Sequence, residues 1–382
     1  MSKRFDIVGS LLRPDALLNY KREIEGRDDI VYPFYEELNG YLETESQASE
    51  VVIKQQIELD LPVISDGEFS KSLWHLDFLW GLGGVRRFIA DTGYIFRDHE
   101  EAQGFETRKD VGIEVIGELS GKNHNQIRVF KENVKLVQNK EYKQCIPSPA
   151  HLYGEFLWSP YITAEKVYKD NEALKVGLLN AYKEFITEFK EANGKILQLD
   201  DCLWEVFATD NEASPFAGKK PAESRSVALE FIALNNEVIS FAKSLDLKVW
   251  THNCRGNYKS RSMSDGSYES IAELFLEGQN YDRFYLEWDD ERAGSLDALK
   301  VFQNKDVEIV LGLLSSKTAH LDDEERVYHL LEQATKIIPK ERLLLSHQCG
   351  FASCDGGNEL TQEQQWKKIE QGQAIAQNFW GE

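Results

Sequence analysis

Ile196-Leu197-Gln198-Leu199-Asp200-Asp201, a helical pattern over residues 221–245, and then Lys248-Val249-Trp250-Thr251-His252-Asn253-Cys254 form the stretch whose reading decides the fold. Both flanks are short apolar runs that end in polar, chemistry-bearing side chains, and each reads as a strand. Between them Val227, Phe231, Leu234 and Val238 fall at i, i+4, i+7 and i+11, one apolar stripe, and Pro221 suits a first helical turn. Working outward, the same alternation recurs. Strand-like runs cover residues 5–10, 61–68, 142–149, 283–289, 308–315 and 343–349, so the chain carries about eight candidate strands. Residues 163–193 make another helical pattern, closed by Asn193-Gly194, and Thr361-x-x-Gln364 has capping-box spacing ahead of the last helix. Strand and helix alternate almost to the end without repeats or low-complexity stretches. The expectation is an α/β fold, a single (β/α)8 TIM barrel over residues 1–382, with an open doubly wound sheet as the second choice.

One region interrupts the alternation. Residues 111–117 and 126–137 alternate like two strands around Gly121-Lys122-Asn123. They are read as a β-hairpin insertion, about residues 83–140, between strands 2 and 3. A long loop at that place lies over the face of a barrel where active sites form.

The 382 residues are 42% hydrophobic and 11% aromatic, enough for a large core, so a disordered chain is excluded. With 44 basic against 65 acidic side chains the net charge is -21, which repels phosphate backbones and anionic lipid. No nucleic-acid or membrane partner is expected. The N-terminus shows no secretory leader, and five cysteines, an odd number, do not form a disulfide framework, so a reducing cytoplasm is the expected location.

The chemistry sits at strand ends. Residues two apart in a strand share a face, so His252 and Cys254 point together and suit one metal ion. The next strand ends in Glu287, beside Asp289 and Asp290, and the last ends in Cys349. In a barrel these ends meet at one mouth, where an imidazole, two thiolates and an exchangeable carboxylate suit zinc. His347 and Cys354 compete for the last position. Gly350 ends the strand just after Cys349, which favours Cys349.

Val8-Gly9-Ser10, Ser65-Asp66-Gly67-Glu68, the Leu197 to Asp201 run, His252-Asn253-Cys254, Leu286-Glu287 and Gln348-Cys349-Gly350 occur in this order along nearly the whole chain. Together they resemble the zinc-bearing catalytic barrel of the cobalamin-independent methionine synthases. The resemblance implies Zn2+ held by His252, Cys254, Glu287 and Cys349, and methyl transfer to the thiol of homocysteine. It further implies that Glu68 and Asp200 take the substrate ammonium, while Ser10 and the amides from Val8 to Ser10 take its carboxylate. Chemically this agrees with the residues, because a thiol is a poor nucleophile until a metal favours its thiolate.

Two departures stand out. Where folate-dependent members carry a proton-donating histidine after the seventh strand, this chain places Lys317, with His320 nearby; a lysine protonates a leaving group or binds an anionic donor. Glu205 falls one position out of register with a family glutamate. The eight strands also use up the chain, leaving no second barrel for a polyglutamylated folate. The methyl donor is therefore a folate, a methylated corrinoid protein or a small methylated compound. Arg13, Arg86 and Arg87 are further candidates to meet an anionic donor. The competing readings are zinc-dependent alkyl transfer to another small thiol, a structural zinc, and metal-free carboxylate chemistry, such as a decarboxylase, on the same barrel.

Overall fold

A computed structural model describes residues 3–96, 104–208, 215–216, 221–263 and 266–381. Seven strands run parallel in one curled sheet, in the order Val63–Ile64, Glu141–Pro147, Ile196–Asp201, Lys248–Asn253, Arg283–Glu287, Glu308–Leu314 and Leu343–His347. The run expected over residues 5–10 fills the eighth place by a single bridge. Phe5 pairs in parallel with Leu345, with Asp6 N donating to Leu345 O at 3.0 Å and Leu345 N to Arg4 O at 2.8 Å. On its other side Ser65 Oγ donates to Gly9 O at 2.6 Å and Leu11 N to Gly67 O at 2.9 Å. The architecture is the TIM-barrel-like α/β fold expected from the alternation.

One side chain from each of seven strand runs fills the interior: Val8, Val63, Ile196, Trp250, Tyr285, Val310 and Leu344 form their own buried cluster. The strand Glu141–Pro147 contributes Lys143 instead, whose ammonium donates to Tyr285 Oη at 3.2 Å and lies 4.5 Å from that ring's centre. Asp6 answers this charge and also accepts from Arg283 at 2.8 Å. This paired plug sits near the strand starts, so the interior is a packed core, and only the opposite mouth is left to bind a ligand.

Helices cover the outside. Asn171–Glu191 starts at Asp170, whose carboxylate accepts from Ala173 N; Pro221–Ser244 follows, and Gln362–Trp380 carries the Thr361 and Gln364 capping box. Among the described residues no helix is long and apolar enough to cross a membrane.

The insertion lies where expected but is built differently. Gly112–Ser120 pairs antiparallel with Gly83–Phe88 and parallel with Ile162–Thr163, while Ile95–Phe96 pairs with Phe105–Glu106. The second hairpin arm, expected over 126–137, is instead the helix Asn125–Asn133. Ile127, Phe130 and Asn133 bury one face at a spacing of three, with Phe130 packed on Phe189 at 4.7 Å. His124 caps the start by accepting from Gln126 N at 3.1 Å. Tertiary burial at helical spacing overrode the local alternation.

Candidate metal centre

Strand register brings the four candidate ligands together. Asp200 pairs with His252 and His252 with Tyr285, so Asn253 stands opposite Leu286 and Glu287 lies one step further along. Tyr268 locks these two ends: its hydroxyl donates to Asn253 O and accepts from Glu287 N, both at 2.8 Å. Cys349 follows the last strand, where Gln348 N donates to Leu314 O at 2.7 Å. One ligand atom from each of His252, Cys254, Glu287 and Cys349 lies within 4.8 Å of the others, and all four residues are buried.

Two of the ligand separations match the edges of a tetrahedral zinc site. Cys254 Sγ and Cys349 Sγ are 3.8 Å apart, and His252 Nε2 and Glu287 Oε1 are 3.3 Å apart. Zinc bonds of about 2.3 Å to sulfur and about 2.1 Å to nitrogen and oxygen give tetrahedral edges of about 3.8 Å and about 3.4 Å. Arg255 N donates to Glu287 Oε1 at 3.1 Å, while Glu287 Oε2 is buried with no hydrogen-bond partner.

The four groups are strongly coupled. The Cys254 thiol is pushed well above its ordinary pKa by its hydrogen bond to Cys202, by burial and by Glu287. Its partner Cys349 is pushed up by Cys254 and by burial. A cation bound between the two sulfurs would favour their thiolate forms. Burial opposes charge on His252, but Cys349 and Glu287 outweigh it and raise the imidazole to about 9. For Glu287 burial is likewise outweighed, by His252, Lys317 and Arg255, which hold its pKa below the usual glutamate value. Cys202 and Arg255 escaped the sequence reading, and their one signal was adjacency to Asp201 and Cys254.

Above the ligands lies a small cavity that opens to solvent. Val8, Ser10, Glu68 and Asp200, all expected around the substrate, line it together with His252, Cys254 and Cys349. Glu68 is held in a left-handed backbone conformation, φ 61°, after Gly67 at φ 65°, a strained placement for a side chain with a Cβ. Arg13, buried, fixes that turn by donating to Glu68 O at 2.8 Å and to Cys354 O at 3.0 Å. It braces the loop, as Arg87 braces Asp110 and Arg86 pairs with Glu114; none of the three lines the cavity. Ser10 comes so close to Gly350 that a Cβ there would lie 2.0 Å from Ser10 Oγ, which is why residue 350 lacks one.

Burial, reinforced by Glu68, raises Asp200 to about 7, and Gln198 donates to it at 2.8 Å. Asp201 faces the other way and accepts from Ser148 Oγ and Leu203 N, both at 2.7 Å, so it is structural. Lys71, unforeseen, is buried with its ammonium 3.2 Å from Glu68 Oε1 and bonded to Cys145 O at 2.8 Å.

Lys317 is not among the residues lining the cavity. Its Nζ is buried without a hydrogen-bond partner, and its charge acts on Glu287 and Asp289. His347 packs between Phe5 and Phe351 and stands outside the four-ligand group, as does Cys354. His320 is exposed, and Glu205 is buried 3.9 Å from the Arg255 guanidinium.

A parallel barrel with His, Cys, Glu and Cys converging at the C-terminal mouth defines the class, a TIM-barrel-like protein with a thiol-rich candidate metal centre. The chain belongs to the family of the cobalamin-independent synthase catalytic domain, which it matches over residues 34–365. Family membership implies a methyltransferase. The chain is 35% identical over 381 residues to the uncharacterized protein YxjH of Bacillus subtilis (strain 168), covering 99% of this chain and 94% of that one. It is 31% identical to YxjG of the same strain, with the same coverage. Among solved structures, a putative vitamin-B12 independent methionine synthase from Listeria monocytogenes superposes with a TM-score of 0.69 at 28% identity, covering 99% of this chain and 98% of that one. A B12-independent methionine synthase from Shewanella sp. W3-18-1, solved in complex with selenomethionine, shares the fold with a TM-score of 0.70 at 18% identity, covering 99% and 97%.

Proposed function

We propose that the protein transfers a methyl group to the thiol of homocysteine, giving methionine, with Zn2+ held by His252, Cys254, Glu287 and Cys349. The observation that carries the reading is the pair of ligand separations, 3.8 Å and 3.3 Å, at the floor of a cavity walled by Glu68 and Asp200. Zinc in a ligand set of two thiolates and a carboxylate favours the thiolate form of an added thiol at neutral pH while remaining a weak Lewis acid.

The protein's own groups do the rest. Glu68 and Asp200 take the substrate ammonium, and Lys71, paired with Glu68, holds that carboxylate in place before it arrives. An incoming ammonium favours the ionised form of Asp200, which burial alone disfavours. Ser10 and the amides from Val8 to Ser10 take the carboxylate. With zinc bound, Glu287, one of whose oxygens is unpartnered, would be the ligand suited to yield its place to sulfur, and Lys317, whose charge acts on Glu287, would hold the displaced carboxylate or serve the donor's proton chemistry. The whole barrel, residues 1–382, acts as one catalytic unit. The donor is a folate, a methylated corrinoid protein or a small methylated compound. All five cysteines are free, in keeping with work in a reducing cytoplasm.

The test is the visible spectrum of the cobalt(II)-substituted protein titrated with homocysteine and, in parallel, with 2-mercaptoethanol. Homocysteine should add thiolate-to-cobalt absorption at concentrations where 2-mercaptoethanol does not. A cobalt-loaded protein that ignores homocysteine would sink the reading, and equal response to both thiols would move it to alkyl transfer onto another thiol.

A further inference from the structure

A second convergence of metal-type ligands stands beside the same cavity, on a helix and a loop that the four-ligand centre does not use. Trp74, which lines the cavity, packs its indole on His75 at 4.9 Å and on His151 at 4.7 Å, centre to centre. His151 and Glu155 are four residues apart on the helix Pro149–Trp158, which starts at the Ser148 cap, so they share one helix face. His75 reaches the same point from the loop before Leu76–Trp80. His75 Nε2 and His151 Nε2 each lie 3.8 Å from Glu155 Oε1, and the three ligand atoms are all within 4.8 Å of one another. The other carboxylate oxygen accepts from Tyr94 Oη at 2.9 Å, which orients Glu155 toward the two rings.

What the two histidines lack is decisive. Both are more than nine-tenths buried, yet all four of their ring nitrogens have no hydrogen-bond partner among the described residues. A neutral imidazole wants one donor and one acceptor satisfied, and buried polar atoms left alone are destabilising enough to need a reason. Burial holds both rings neutral, His151 down to about 3, so each keeps a lone pair for a cation. Two imidazoles and a carboxylate suit a divalent first-row transition ion rather than calcium or magnesium. Tetrahedral edges of about 3.4 Å would require the 3.8 Å separations to close by only a few tenths of an ångström.

We infer that His75, His151 and Glu155 form a second metal site, for a divalent first-row transition ion, separate from the four-ligand centre and divided from its cavity by Trp74. The site does not depend on the proposed methyl transfer. Its test is a cobalt(II) titration of the metal-stripped full-length protein, followed by dialysis to count bound metal and by absorption to count thiolate-bound cobalt. Wild type should bind two equivalents, only one of them with intense near-ultraviolet thiolate absorption. His151→Ala should bind one, with the thiolate band intact. Glu155→Gln, a shape-preserving change, should weaken the second equivalent at least about tenfold. Far-ultraviolet circular dichroism of both variants checks that they fold. Cys254→Ser, which leaves Cys349 as the one sulfur ligand, should weaken the thiolate band and keep the second equivalent, so failure of the zinc reading and failure of this one are told apart. A single equivalent in wild type, or a second equivalent that survives both His151→Ala and Glu155→Gln, overturns the inference.

Discussion

In Cys254→Ser a hydroxyl stands where a thiol now lies 3.8 Å from Cys349 Sγ and accepts the Gly256 amide at 3.3 Å. The change removes one of two thiolates from the ligand set, because a serine hydroxyl stays protonated at pH 7. Zinc binding by thiolate-rich sites is worth about 10–16 kcal/mol at that pH. One ligand in four then carries about 3–4 kcal/mol, and at about 1.4 kcal/mol per tenfold the variant should bind zinc about 100- to 1,000-fold more weakly. The metal-free fold should hardly notice, since the residue sits at the cavity wall and the substitution leaves nearly the same volume. Competition against a chromophoric chelator at pH 7 measures the affinity, and denaturant unfolding of both metal-free proteins supplies the control. Zinc held at 1,000 times the wild-type Kd should stabilise wild type by about 4 kcal/mol and the variant by less than about 2 kcal/mol. A variant whose zinc affinity stays within about threefold of wild type would refute the ligand assignment and the geometric argument behind it.

If Glu68 takes the substrate ammonium as proposed, Glu68→Gln should remove a charge-assisted contact worth about 1.5–3 kcal/mol, so KM for homocysteine should rise about 10- to 100-fold while zinc content is unchanged; unchanged KM would contradict the assignment. His124, whose neutral ring accepts from Gln126 N and faces Phe78 O at 2.9 Å, is held by burial at about 4. A histidine whose pKa is lowered on folding adds stability that is present above 6.5 and lost as pH falls toward 4, here up to about 3 kcal/mol. Denaturant unfolding between pH 7 and pH 4 should show that loss in wild type and a flatter profile in His124→Asn, which keeps a capping side chain; parallel profiles would count against it.

The parts of the fold that could be read in advance are those where local chemistry and long-range packing agree. Lys248–Asn253 and Arg283–Glu287 are apolar runs in sequence and buried strands in space, and the candidate ligands His252, Cys254 and Glu287 lie at or just past their ends. The opposite case is 126–137, where alternation suggested a strand, but helical spacing of Ile127 and Phe130 against the helix Asn171–Glu191 won. Its start carries His124 rather than a serine, threonine, aspartate or asparagine, so no ordinary capping signal marked it. Lys71, Cys202 and Arg255 were hidden for another reason. Their importance comes only from what folding places beside them, namely Glu68, Cys254 and Glu287. His151 and Glu155 did carry a local sign, spacing of four behind a Ser-Pro start, but the partner His75 lies 76 positions earlier.

Three of the four sulfur, nitrogen and oxygen ligands come from two neighbouring strands, but Cys349 arrives on the last, which is hydrogen-bonded to the segment at Phe5. The ligand set is therefore complete only when the first and last strands of the ring have met. During synthesis on the ribosome a chain lacking its last strand offers the metal three ligands and a gap. With the proposed ion present, a fourth bond would reward closure, and the ion would act as a clasp on the ring.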